Sequence, residues 1–257
     1  MTDRVQKPLN AVLIAGGKYH DIDFARLELL KLLAADDRVR VRVFEDYANV
    51  TAIRAADFLV SYTCDVTPRL DEQEALRAWL AAGGRWYALH GTNSILRFLA
   101  NGVDSPRWAP HFMETLGSQF IAHPPIAPYT VTVADPDHPL VEGVQSFQAQ
   151  DELYLSEMHG EHHVLLETEF EGEAAGFIEH TWLKAKHPVF YIHPVGKGEV
   201  LYLTLGHCRG HYDMLPLMEY YPAPEKGSWA LPVFYDLLNR GLEWAKQPAL
   251  ERAAAVT

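Results

Sequence analysis

The residues best placed to do chemistry in this chain are histidines that follow short apolar runs. Trp86-Tyr87-Ala88-Leu89 leads into His90-Gly91-Thr92-Asn93-Ser94, a small polar turn. A side chain at such an elbow projects over the end of a sheet, and the helical stretch expected after it would present free backbone N–H groups to an anion or oxygen. The projecting group is an imidazole rather than a hydroxyl or thiol, which points to acid–base, binding or metal work and away from acyl-enzyme chemistry. In Leu205-Gly206-His207 a second histidine ends an apolar run, and Gly206 lets the backbone turn sharply. His123 stands in Phe120-Ile121-Ala122-His123-Pro124-Pro125, and Asp151-Glu152-Leu153-Tyr154 offers two adjacent carboxylates. Adjacent side chains diverge, so one carboxylate is expected to serve a backbone or imidazole partner and the other to face a site. His90, His123, Glu152 and His207 form the candidate catalytic set, and His20, just after Gly16-Gly17, is held in reserve.

Each of these residues also has a plain structural use: a loop histidine can cap or pack, and an Asp-Glu pair usually sits in solvent. Only convergence would distinguish the two. The group His159, His162 and His163 is expected to face solvent. A divalent metal suits the donor types, but no H-x-x-x-H helix fixes one; His207 and His211 have that spacing in a stretch whose glycines argue against regular helix. Cys64 and Cys208 are the obvious rivals as nucleophiles, yet neither lies on the His90 elbow, and buried inert thiols are their expected fate. No glycine-rich phosphate motif follows any strand, and no organic cofactor is implied.

The elements that must position these residues read as alternating strands and helices, the pattern of a parallel sheet with crossover helices. Leu9 to Ala15 reads as a buried strand, followed by a helix capped by Asp21 with apolar positions Phe24, Leu27, Leu30 and Leu33. Val39, Val41 and Val43 alternate with arginines. Ala56 to Tyr62 and Arg85 to Leu89 read as further strands, separated by a helix carrying Leu76, Trp79 and Leu80. In open α/β sheets the carboxyl ends of such strands are where ligands bind. Asn101 to Pro128, rich in proline, reads as a long irregular excursion, uncommon unless functional. Tyr129 to Val133 and His163 to Leu166 look like strands, and Pro188 to His193 and Glu199 to Leu205 read as a hairpin. A last helix begins near Pro232, with a frayed tail expected after Pro248. One domain over residues 1–257, ordered from about 9 to 247, is the expected organisation.

Composition narrows the function classes. Hydrophobic residues make up 48% of 257, enough for a sizeable core, and the net charge of −12 disfavours nucleic acid and acidic membrane surfaces, which need clustered Lys and Arg. Two cysteines fit a reducing, cytoplasmic setting, and neither an apolar leader nor an 18-residue apolar run is present. Tyr220-Tyr221-Pro222 and Trp229, read as exposed aromatics, leave a homo-oligomer contact and a lid over a pocket as open alternatives.

Taken together, the motifs resemble the ThuA-like (trehalose utilisation) family, whose fold is related to class I glutamine amidotransferases. The matching pieces are Leu80-Ala81-Ala82-Gly83-Gly84-Arg85 with Ala88-Leu89-His90; Leu116-Gly117-Ser118-Gln119-Phe120 with Ala122-His123-Pro124; Asp135-Pro136-Asp137-His138-Pro139-Leu140; Asp151-Glu152-Leu153-Tyr154; and Gly196-Lys197-Gly198-Glu199-Val200 leading to Leu205-Gly206-His207. The resemblance implies a flavodoxin-like three-layer α/β sandwich with a mostly parallel central sheet, in which His90 stands where the amidotransferase nucleophile would. Glutaminase activity is then not expected. It further implies a small-molecule carbohydrate partner, a disaccharide or a sugar oxidised to a ketone, processed by isomerisation, elimination or hydrolysis. His20, Tyr19, Trp108, Asp151 and Tyr154 are the candidate substrate-binding residues, the aromatics as a wall against a sugar face. A noncatalytic sugar- or partner-binding module and a metal-assisted hydrolase are the alternatives.

Overall fold

The computed structural model describes residues 8–255. Its strands are β1 (Leu9–Gly17), β2 (Val39–Phe44), β3 (Phe58–Cys64), β4 (Arg85–Leu89), β5 (Arg97–Leu99), β6 (Gly102–Asp104), β7 (Ser118–Ala122), β8 (Ala127–Val133), β9 (Phe147–Asp151), β10 (Leu155–Met158), β11 (His163–Glu173), β12 (Thr181–Val195) and β13 (Gly198–Leu203). The α-helices are α1 (Ile22–Leu33), α2 (Val50–Arg54), α3 (Leu70–Ala81), α4 (Pro110–Leu116) and α5 (Pro232–Ala254). A nine-stranded sheet runs in the order β2-β1-β3-β4-β13-β12-β11-β8-β9. From β2 to β13 neighbours are parallel, and from β13 to β9 they are antiparallel. The sheet is therefore mixed, not mostly parallel. The parallel half is built by crossovers through helices, whereas β11, β12 and β13 follow one another as hairpins, which can only pair antiparallel.

Alternation along β1 shows how the sheet is covered. Ala11, Leu13 and Ala15 face one core with Ala25, Leu29 and Leu33 of α1 and Phe234, Leu238 and Leu242 of α5. Val12 and Ile14 face the other, with Ile53 of α2, Leu76 and Leu80 of α3, and Phe112 and Leu116 of α4. Burial of side chains of this kind contributes about 1.5–3 kcal/mol each. The Asp21 cap is as expected, its carboxylate accepting from Phe24 N at 3.1 Å. The buried face of α1 is Ala25-Leu29-Leu33, and Leu27 is outward; the small Ala25 lets the helix lie close to β1.

Three other expectations change. The stretch after His90 is a single 3₁₀ turn, His90–Asn93, leading to the β5–β6 hairpin, so no α-helix N-terminus stands behind the elbow. Asn101 to Pro128 is not irregular: it holds β6, α4 and β7, and Pro110 starts α4 at the position where proline suits a helix best. Helix α5 continues through Pro248 instead of fraying. Proline cannot donate to the carbonyl four residues back. Arg85 Nη1 donates to that carbonyl, Trp244 O, at 2.8 Å, with its guanidinium 4.5 Å from the Trp244 ring centroid and 3.1 Å from Glu199.

Gly241 brings α5 against the sheet. A Cβ there would stand 2.2 Å from the ring of Tyr87, itself fully buried in β4. Gly→Ala inside a helix ordinarily stabilises by about 1 kcal/mol. Here Gly241→Ala is expected to destabilise by about 1–3 kcal/mol, the usual range for overpacking. A drop in the thermal unfolding midpoint checks this; a rise would show that α5 adjusts freely.

Candidate active site

The carboxyl ends of the parallel strands bend sharply. Tyr19 (φ 68°), two residues past β1, Asp65 (φ 58°), directly after β3, and His90 (φ 44°), directly after β4, all have left-handed backbone. Non-glycine residues rarely adopt it, and they persist only where the surroundings enforce it. Gly206 (φ 126°) follows β13 and sets His207 beside them. A second arm closes the site from the far edge of the sheet. Strand β8 pairs with β9 over its first five residues and with β11 only over its last two. At the end of β9, Asp151 accepts from Glu152 N (2.8 Å), Gly206 N (3.0 Å), His207 N (3.1 Å) and Ser228 N (2.9 Å). That buried carboxylate locks β9 onto the loop carrying His207, leaving its neighbour Glu152 to face the other way.

Glu152 is the centre of the site. Its Oε1 lies 3.1 Å from His207 Nδ1, 3.5 Å from His123 Nε2 and 3.4 Å from Arg209 Nη2. Its Oε2 lies 3.4 Å from His90 Nε2 and 3.6 Å from His20 Nε2. Remote ring nitrogens are held by oxygen acceptors: His90 Nδ1 at 2.8 Å from Thr204 O, His123 Nδ1 at 2.8 Å from Pro124 O, and His207 Nε2 at 2.7 Å from Glu225 Oε2. His20 Nδ1 faces Lys18 O at 3.4 Å. The Nε2 atoms of His20 and His90 are only 2.8 Å apart, and the Tyr154 hydroxyl is 3.3 Å from His90 Nε2.

Burial and mutual charge set the protonation states. Burial would raise the Glu152 carboxyl, but the imidazoles of His207 and His123, with hydrogen bonding from His20, hold it well below the usual carboxylate range. Burial would lower His207, yet Glu152 and Glu225 outweigh it and push it up to about 9. Burial dominates at His20, which is pushed down to about 3. The site thus pairs an ionised carboxylate with both a charged and a neutral imidazole. Cys64 is raised well above an ordinary thiol by burial and by Glu152, and burial raises Cys208 to about 12, so neither offers a ready thiolate.

Glu152, His123, His20, Tyr154 and Arg209 open into a cavity of about 250 Å³, walled on its apolar side by residues including Phe98, Phe120 and Phe177. His90 and His207 lie fully buried behind it. A larger polar groove of about 350 Å³ beside it shares Tyr19 and His20 but not Glu152 or His123, so the smaller cavity is the one with chemistry on its wall. The structure does not bring Trp108 to this cavity; it is 57% exposed, with the Arg97 guanidinium over its ring. Asp151 is engaged by backbone N–H groups, as above. Tyr19 packs its ring against Phe98 at 5.0 Å on the cavity wall.

A family model described as ThuA, trehalose utilisation, matches residues 11–220. The chain belongs to the ThuA family. That match takes in every residue of the cluster from His20 to Arg209, leaving only Glu225 beyond it. Among solved structures, a ThuA-like protein from Bacteroides uniformis is 18% identical with a TM-score of 0.64, covering 95% of this chain and 94% of that one. Another ThuA-like protein, from Parabacteroides merdae, is 16% identical with a TM-score of 0.61, over 93% and 90% of the two chains. A cold-adapted β-galactosidase from Rahnella is 13% identical with a TM-score of 0.54; 96% of this chain corresponds to 32% of that enzyme. At these identities the likeness is one of fold. No curated protein matches in sequence.

Two members of this ThuA-family site went unread in the sequence. Arg209 lies two residues past His207, where it can turn back toward the same side, and it bridges Glu152 and Glu225 at 3.4 and 3.0 Å. Glu225 belongs to the stretch before Trp229, which is not the exposed aromatic expected: Trp229 is buried and donates from Nε1 to Gly206 O at 2.7 Å. His162 does not face solvent either, since it is half-buried with Nε2 at 2.6 Å from Gly117 O. No helix among the described residues is long and apolar enough to cross a membrane.

Proposed function

We propose that the chain is a carbohydrate-processing enzyme acting on a sugar oxidised to a ketone at a ring position. The observation that carries this reading is the Glu152 carboxylate, 3% exposed, held ionised among four imidazoles on the wall of a cavity of disaccharide-fragment size. Membership of a family described by trehalose utilisation supports a carbohydrate as the substrate. A ketone acidifies the neighbouring C–H, which makes proton abstraction by an imidazole or carboxylate feasible near neutral pH.

His123 is the proton-transfer group at the mouth. Its Nδ1–H is fixed on Pro124 O, so in the neutral ring Nε2 presents a lone pair to the cavity, 3.5 Å from Glu152. It takes the proton from the carbon beside the ketone. The electron pair moves onto the ketone oxygen. In an isomerisation the neighbouring hydroxyl passes its proton to that oxygen and becomes the new ketone, while His123 returns its proton to the former carbonyl carbon. In an elimination the enolate collapses, the C–O bond to a glycosidic oxygen β to the ketone breaks, and that oxygen leaves with the proton held by His123. Arg209 sits against the same wall as a cation for developing oxyanion charge. Tyr19, Phe98 and Phe120 supply the apolar face on which a sugar ring packs. The cluster itself holds Glu152 in place.

The test is turnover. Purified protein is expected to convert a ring-oxidised disaccharide and to leave the unoxidised parent unchanged, and His123→Ala is expected to lower kcat/KM by about 10²- to 10⁴-fold, the usual weight of a general acid–base group. Saturable binding of the oxidised sugar with full recovery of the ligand would instead assign a binding module.

A further inference from the structure

We propose that His20 Nε2, His90 Nε2, His207 Nδ1 and a carboxylate oxygen of Glu152 together bind one divalent transition-metal ion of the Zn²⁺ type. The four ligand atoms lie within 4.8 Å of one another on four buried residues. Three features argue for a cation rather than an internal hydrogen-bond network. First, His207 Nδ1 is buried, points into the cluster and makes no aligned hydrogen bond, although Glu152 Oε1 is 3.1 Å away. Second, the Nε2 atoms of His20 and His90 stand 2.8 Å apart, and in the tautomers whose remote nitrogens donate to Lys18 O and Thr204 O both present lone pairs to each other. Two lone pairs at that distance repel. An ion between them removes the repulsion, and tetrahedral ligands on bonds of ~2.1 Å stand about 3.4 Å apart, in line with the 3.1–3.6 Å that separate the Glu152 oxygens from His207, His90 and His20. A proton relieves one such pair, whereas four donors converge here.

Third, each imidazole is braced as metal ligands are, through a remote nitrogen held by a backbone carbonyl or carboxylate: Lys18 O for His20, Thr204 O for His90 and Glu225 for His207. Three imidazoles and one carboxylate suit a borderline ion and disfavour Ca²⁺ and Mg²⁺, which prefer oxygen donors. His123 stays outside the quartet as the group facing the cavity. This inference deepens the proposed reading of the same site, in which a bound cation would polarise a ketone oxygen. Binding is measured without sugar, so its failure is distinguishable from failure of the enzymatic assignment.

Untagged full-length protein, stripped with chelator and dialysed, would be titrated with ZnCl₂ calorimetrically and with CoCl₂ by visible absorption. One tight equivalent of Zn²⁺ is expected, with a Co²⁺ ligand-field spectrum that Zn²⁺ displaces. Glu152→Gln and His20→Ala are expected to weaken binding by at least about 100-fold, and Glu225→Gln, which only braces His207, by about 10-fold. His163→Gln, at an exposed histidine outside the cluster, is the control for surface binding. Circular dichroism of each variant guards against misfolding. The inference is overturned if stripped wild type takes up neither ion at micromolar concentration, or if a tight equivalent survives in folded Glu152→Gln and His20→Ala. Full turnover of oxidised sugar by protein shown to take up neither ion would overturn the metal site and leave the enzyme standing.

Discussion

Glu152→Gln is expected to lower turnover of a ring-oxidised disaccharide by about 10²-fold or more while the protein stays folded. The amide keeps the size and planarity of the carboxylate, so packing around a residue 3% exposed is preserved. What disappears is the negative charge that His20, His90, His123 and His207 share at 3.1–3.6 Å. Without it His207 loses one of the two carboxylates that push it up to about 9, and His123 Nε2 faces an amide where it faced an anion. A general acid–base arrangement loses about 10²- to 10⁴-fold when a partner is removed. Steady-state kinetics beside circular dichroism would check this. Wild-type turnover in a folded Glu152→Gln protein would remove Glu152 from the mechanism.

Asp151→Ala is expected to be the most destabilising single change at the site, costing about 3–5 kcal/mol. The carboxylate satisfies four buried backbone N–H groups, from Glu152, Gly206, His207 and Ser228. Each donor left unpaired in the interior costs about 1–3 kcal/mol, partly offset by local relaxation and entry of water. Asp151→Asn keeps one carbonyl acceptor and replaces the other, whichever it is, with a donor that faces two backbone N–H groups, so an intermediate loss is expected. Urea unfolding of the three proteins reads the order directly. Equal midpoints for wild type and Asp151→Ala would mean that the β9 arm is held by other contacts. Because His207 follows Gly206 in the clamped loop, a loss of activity in Asp151→Asn would come through position and not through contact with substrate.

Much of the frame was legible because parallel βα units write a local signal. The strand Arg85–Leu89, the cap at Asp21 and the stop after α3 follow from apolar runs, a side-chain acceptor and glycine pairs. The antiparallel extension was underread. Strand β12 reaches back to Thr181 through Lys184, Ala185 and Lys186, positions largely exposed and therefore carrying no continuous apolar run. Where helix α5 passes Pro248, Arg85, far away in sequence, supplies a donor to the carbonyl that the proline leaves free. No window of residues contains that information.

The site followed the same division. His90 and His207 were visible as histidines ending apolar strands, and His20 and His123 as weaker versions of that signal. Their meeting around Glu152 depends on β9 crossing back to the end of β13, a tertiary event fixed by Asp151. Arg209 and Glu225 carry no periodic or motif signal, and their relevance comes from distance alone. Trp108 shows the converse: an aromatic in a proline-rich stretch reads as a sugar platform, yet α4 and β7 take up that stretch and leave Trp108 at the surface.

If a carbohydrate is processed against Glu152, as proposed, it must sit in the cavity between Tyr19, His123 and Phe177. The most direct measurement is a crystal structure of the Glu152→Gln protein soaked with a ring-oxidised disaccharide. The sugar is expected in that cavity, with its ketone-bearing ring within hydrogen-bond reach of His123 Nε2 and residue 152 and one face on the aromatic wall. Density for the sugar in the polar groove beside Asp21, Arg26 and Glu45 instead, with the His123 cavity empty, would contradict it.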